Sequence, residues 1–207
     1  MFKLFTLLFT CSLLLSGCAN MDKSMCLAAN WQNIGFEDGA AGRPQTDIAQ
    51  HRKDCAKHGV TPDLTAYRSG HDQGSVLFCT SNNGFRQGSA GKSYKNNCPE
   101  SLAGAFLSGF RDGEILHQSK VMLDRADSNL DHVLADIEAL QAQIEQQTEL
   151  MIADGLTRDE RAKIRDDLAA MQVELEDLYL QRSALEQKLA GAQYEYERTV
   201  QRFSRYN

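Results

Sequence analysis

His51, Cys55 and His58 stand four and three residues apart, a spacing that on one helical face would offer two imidazoles and a thiolate to a zinc ion. The thiol has a competing use, because an even set of cysteines surrounds it, and a disulfide is the preferred reading. No metal is therefore expected. Gly91-Lys92-Ser93 ends like a phosphate-binding loop, yet Arg86 occupies the place of the glycine required five residues earlier. Ser69-Gly70-His71 lacks the strand, turn and helix that expose a hydrolase nucleophile. Glu37, Asp38, Asp72 and Asp112 are the carboxylates from which an acid-base pair would be drawn. Helix caps and solvated surface are the commoner uses of such groups, so no catalytic residue, no cofactor and no enzyme are expected.

Cys18 invites different chemistry. A basic start at Lys3 leads into an apolar run from Leu4 to Leu15, too short to span a bilayer and of the length of a signal peptide's core. Leu15-Ser16-Gly17-Cys18 follows, and this segment resembles the lipobox of bacterial lipoproteins. The resemblance implies removal of residues 1–17, alkylation of the Cys18 thiol with diacylglycerol, and palmitate-like acyl chains on the mature protein. Ala19 behind the lipidated cysteine implies sorting to the outer membrane, facing the periplasm. Each buried methylene contributes about 0.8 kcal/mol, so two or three chains form a permanent anchor.

The remaining cysteines fit an oxidising compartment. Cys11 leaves with the signal and Cys18 is acylated, which leaves Cys26, Cys55, Cys79 and Cys98 for disulfides. Three connectivities are possible; if consecutive helices lie antiparallel, Cys26 falls beside Cys55 and Cys79 beside Cys98. Charge is uneven along the chain. Residues 18–115 carry 10 Lys and Arg against 10 Asp and Glu, and residues 116–207 carry 11 against 18. An acidic tail argues against nucleic acid as a partner, since phosphates need clustered cations.

Four glycine pentads punctuate the first half: Gly35 to Gly39, Gly70 to Gly74, Gly84 to Gly88 and Gly109 to Gly113, each with Phe or His second and Asp or Gln fourth. Tyr67 and Phe106 precede two of them by three residues and Trp31 the first by four, placing aromatic and glycine on one helical face. Close helix crossing explains this pattern. A ligand groove lined by Trp31, Asp38, Tyr67 and Tyr94 is the sharper alternative, because glycine also admits a bound glycan or peptide.

The order of Trp31-Gln32-Asn33-Ile34-Gly35, Asp38 to Arg43, His51, Cys55, Tyr67, Gly70, Gly74, Cys79, Gly84, Gly88, Gly91, Tyr94 and Cys98-Pro99 resembles the bacterial lipoproteins grouped as domain of unknown function 2799. The resemblance covers about residues 24 to 115. It implies no activity, because that family has none assigned.

Elements that would carry these residues follow from periodicity. Residues 18–25 read as a lipidated linker and 26–115 as a small disulfide-braced helical head with Gly-rich turns. Residues 116–207 read as a long antiparallel coiled-coil hairpin with a turn near 153–157. Leu116, Leu123, Leu130, Ile137, Ile144 and Met151 recur at sevens with Ala126, Val133 and Leu140 between them. Thr157 and Glu160 form a capping box, and the returning seam runs Ile164, Leu168, Met171, Leu175, Leu178, Arg182 and on to Phe203. A turn centred on Asp154 aligns Leu140 with Leu168 and Ala126 with Arg182; a slip of one heptad instead sets Arg182 opposite Val133. The mainly α chain is thus expected to be a lipid-anchored, non-enzymatic adaptor that holds an envelope protein or a second copy through its hairpin. A peptidoglycan- or glycan-binding head is the alternative, and an envelope hydrolase the third reading.

Overall fold

A computed structural model describes residues 21–206. The expected signal segment 1–17, the expected lipidation site Cys18 and the first residues of the expected 18–25 linker lie outside the described residues. Among those described there are seven α-helices and no strand. They are α1 (Lys23–Leu27), α2 (Trp31–Ala40), α3 (Ile48–Ala56), α4 (Leu64–Phe78), α5 (Ser81–Ser89), α6 (Glu100–Ile152) and α7 (Arg158–Arg202). Short 3-10 turns precede α3 and follow α7.

The chain divides into two compact units. The first runs through Phe78 and takes in Lys95–Pro99; the second is Cys79–Tyr94 with everything from Glu100 onward. The expected boundary between 115 and 116 is therefore not where compactness changes. Helix α6 continues through it without a break, and its first turns pack on α5, so α5 goes with the long helices.

In the first unit α2 begins at Asn30, whose side chain accepts from the Asn33 amide, and it buries Trp31, Gly35, Asp38 and Gly39. These positions recur every three or four residues and form one face. Helix α4 answers with Tyr67, Gly70, His71, Gly74 and Ser75. The glycines of each helix lie against the other's backbone: a Cβ at Gly70 would stand 2.7 Å from the carbonyl carbon of Gln32, and one at Gly74 2.8 Å from the Ala40 nitrogen. The pentads are thus helical crossings. The Gly-rich turns expected of the head are confined to helix ends, where Gly42, Gly59 and Gly91 take φ near +70°.

Around that crossing, Met21, Cys26, Trp31, Cys55 and Tyr67 form a core, with Ile34, Ile48 and Val60 packed at its edge. Fully burying each large apolar side chain contributes about 1.5–3 kcal/mol. So small a core depends on its cross-link, the Cys26–Cys55 disulfide. Cys79 and Cys98 are also disulfide-bonded.

The second unit repeats the crossing. Gly84 and Gly88 of α5 meet the backbone at Phe106 and Phe110 of α6, while Gly109 and Gly113 meet it at Ser81, Phe85 and Ser89. Helices α6 and α7 then pack against each other, and Val133, Ile137, Leu140, Ile164 and Leu168 are buried. Thr157 and Glu160 make the expected capping box at the start of α7.

Their register differs from the expected one. Gln141 donates to the Tyr179 hydroxyl at 2.8 Å, and Arg205 and Tyr206 reach Asp112 at 2.7 and 2.8 Å. With Leu140 opposite Leu168, Gln141 and Tyr179 would be about 18 Å apart along the helix axis. That alignment is therefore not adopted, and the α6 residues meet later residues of α7 than it would bring opposite them. The turn explains the shift, because Arg161 donates to the carbonyl oxygens of Met151 and Ala153 and so caps the last turn of α6 with the first turn of α7. Arg182 pairs with Glu186 at 3.4 Å and lies over the Tyr179 ring. A cation in an apolar seam sets register at a cost in stability. Arg182→Leu is expected to raise the melting temperature of the helix pair by about 2–4 °C, equivalent to about 1 kcal/mol, as read by circular dichroism.

Candidate functional site

The two glycine crossings are alike in backbone and unlike in what they enclose. Tyr67 in the first corresponds to Phe106 in the second, Asp38 to Gln87, Arg43 to Lys92 and His71 to Phe110. The second crossing has an aromatic filling, in which Phe106 and Phe110 stack on each other and Tyr94 lies against both. The first encloses a buried carboxylate.

Asp38 is 1 % exposed and sits on the buried face of α2 beside Gly39. Its Oδ1 accepts from Arg43 Nε at 2.7 Å and also pairs with Arg43 Nη2, while its Oδ2 accepts from His51 Nε2 at 3.0 Å and from the Tyr67 hydroxyl at 2.7 Å. Three segments are pinned to one residue. Gly42, in the left-handed conformation, turns the chain at the end of α2 and brings Arg43 back; α3 contributes His51, and α4 contributes Tyr67. His71 Nε2 then donates to the Arg43 carbonyl at 2.8 Å and fixes that turn.

Burial opposes ionisation of Asp38, but the hydrogen bonds from His51 and Tyr67, with the charge and hydrogen bond of Arg43, outweigh it and hold the carboxyl below its ordinary range. Burial, reinforced by the bond to Asp38, pushes the Tyr67 phenol up. Both shifts favour a fixed carboxylate and a fixed phenol. The lone pairs of Asp38 are taken up by the fold, so its chemistry here is that of a clamp. A carboxyl depressed in the folded state adds stability that is complete above its unfolded value of about 4 and is lost as pH falls through the folded value. Asp38→Asn is accordingly expected to flatten the acid limb of the unfolding profile below pH about 4, followed by Trp31 fluorescence. An unaltered acid limb would show that other carboxylates govern it.

Three of the residues expected to line a groove, Trp31, Asp38 and Tyr67, are buried. Trp31 and Tyr67 are core residues, 9 % and 0 % exposed, and Tyr94 belongs to the other compact unit. Asp38 and Tyr67 are hydrogen-bonded, and Trp31 shares the buried core with Tyr67. Of the other carboxylates considered, Glu37 and Asp72 are exposed, with Gln45 3.4 Å from Asp72, and Asp112 binds Arg205 and Tyr206 in the second unit. Cys55 and His51 are engaged by Cys26 and Asp38, so the spaced trio with His58 is taken apart by the fold.

Each unit also carries an open cleft. In the first, Gln45, His71, Asp72, Asn96 and Asn97 line about 310 Å³. Asn97 donates to the Gly42 carbonyl at 2.6 Å, and its buried Oδ1 has no hydrogen-bond partner among the described residues. In the second, Lys92, Ser93, Tyr94, Glu114 and His117 line about 350 Å³. Sequence reasoning picked out Asp38, Tyr67 and the glycines, and missed Arg43 and His71 as their partners. The signal was available in the departure of Asp38, Tyr67 and His71 from the residues at matching places in the second pair of pentads.

These features define a mainly helical, disulfide-bonded protein assembled on paired glycine crossings. The model of a family described as "Protein of unknown function (DUF2799)" matches residues 30–114. That span holds both crossings and the Asp38 clamp, and it ends within α6. No curated protein matches the chain, and no solved structure matches it.

Proposed function

We propose that the protein is a lipoprotein of the bacterial outer membrane, anchored through Cys18 and facing the periplasm, that works as a non-enzymatic adaptor. The observation that carries this reading is the α6–α7 pair. Helix α6 has 53 residues and α7 has 45, and beyond the α5 crossing they bury apolar residues chiefly against each other. At 1.5 Å per residue, α7 is about 68 Å long. Such length without a second layer suits a coiled-coil spacer or grip that meets an envelope protein, or a second copy, at its tip or along an edge. The acidic outer faces keep it soluble and disfavour nucleic acid.

Photo-crosslinking in cells from a residue beside Gly155 tests it. Removing one heptad from each helix, residues 141–147 and 168–174, keeps the seam in phase and shortens the rod by about 10 Å. The adduct is expected to fall at least about tenfold, a difference of about 1.4 kcal/mol, with membrane attachment retained. An adduct of undiminished yield from the shortened protein would overturn the assignment.

A further inference from the structure

We infer that the α1–α3 face of the first unit docks on an anionic phospholipid surface. This inference rests on the lipoprotein reading and names the partner of the head. Its first support is reach: only Ala19 and Asn20 separate Cys18 from Met21, and Met21 is buried in the core with its sulfur 3.9 Å from that of Cys55. The three Cα-to-Cα steps from residue 18 to residue 21 span at most about 11 Å. An acylated Cys18 therefore holds this part of the unit at the headgroups, with no slack for the unit to stand away from them.

The second support is what lies on that face. The Cys26–Cys55 disulfide ties α1 to α3 with their Cα atoms 5.4 Å apart, and Asp22 at the start of α1 is within electrostatic range of His58 beyond the end of α3. Lys23 of α1, Arg52 and Lys53 of α3 and Lys57 after it are all exposed. Asp22 caps α1 and Asp54 pairs with Lys57 and Gln50, so these two acids offset part of the charge and leave the four cations in excess. Among these cations Met25 and Leu27 stand 49 % and 64 % exposed although α1 has a core to pack on. Cations beside exposed apolar side chains fit the boundary between phosphate headgroups and acyl chains. A soluble protein partner would have no need of the short tether.

The test uses the exported full chain, purified in detergent and reconstituted into vesicles of phosphatidylcholine alone or with phosphatidylglycerol. Lysines are labelled with an amine-reactive ester and located by mass spectrometry. On the anionic vesicles Lys23, Lys53 and Lys57 are expected to lose reactivity about fivefold relative to the neutral ones, while Lys163 and Lys188 of α7 keep theirs. The double substitution of Arg52→Glu and Lys53→Glu, at exposed positions, should abolish the protection of Lys23 and Lys57. Equal labelling on the two lipids, or a charge-reversed protein protected like the original, would overturn the docking face. Palmitate at Cys18 is measured on the same preparation: acylated protein without a lipid-dependent footprint defeats this inference alone, and protein without palmitate defeats the lipoprotein reading beneath it.

Discussion

Replacing Gly70 with alanine should destabilise the first unit by at least about 3 kcal/mol, the upper range of overpacking effects, and Gly74→Ala should behave alike. The reason is geometric. At both positions the added methyl meets backbone of α2, at Gln32 and at Phe36 to Ala40, and backbone cannot turn aside as a side chain can. Separation of the helices would in turn pull Tyr67 from Asp38 and open the core around Trp31. Trp31 is the chain's single tryptophan, so its emission during urea unfolding reports on this unit alone. The matched controls are Gly104→Ala and Gly191→Ala, inside α6 and α7, where a Cβ meets nothing. Read by circular dichroism, because Trp31 reports on the first unit, they are expected to stabilise the second by about 0.5–1 kcal/mol through reduced backbone freedom in the unfolded chain. A Gly70→Ala protein with an unchanged tryptophan midpoint would show that the crossing is looser than the structure has it.

Loss of the Cys26–Cys55 bridge is the second large effect. The two residues are 29 apart in sequence, and closing a loop of that size removes about 3.5 kcal/mol of unfolded-chain entropy. For a core of five buried residues this is a large share of the whole. The paired Cys26→Ala and Cys55→Ala substitutions should lower the tryptophan midpoint by that amount, and also remove sulfur packing against Met21. Reduction of the unmodified protein should move it in the same direction. If neither change shifts the midpoint, the crossing rather than the bridge holds the unit together.

What could be read in advance had short-range physics behind it. Thr157 and Glu160 announce a helix start because one residue's side chain satisfies the other's amide, and α7 begins there. Glycines four apart, with an aromatic on the same face, marked the close crossings, although only the coordinates pair Gly35 and Gly39 with Gly70 and Gly74 and exclude other pairings. The apolar periodicity of α6 and α7 was legible, and the two helices do pack on each other, but their alignment was not legible. An apolar repeat does not by itself fix the axial alignment of two helices, and the Arg161 bonds across the turn to Met151 and Ala153 are not written in it. The Asp38 clamp was legible only as a residue in a pentad. Arg43 and His51 join it through the left-handed turn at Gly42 and the placement of α3, which are tertiary facts.

One detail of the second unit bears on how it would transmit force. Helix α7 does not end free: Phe203 is buried, Tyr206 stacks on Phe85 at 4.3 Å between ring centroids, and Arg205 and Tyr206 hold Asp112. Both helices are thereby fastened at the base, α6 through its glycines to α5 and α7 through its aromatic end to the same short helix. Tension applied at the Gly155 turn would be shared by two struts, and peeling one away would require breaking its foot as well as its seam.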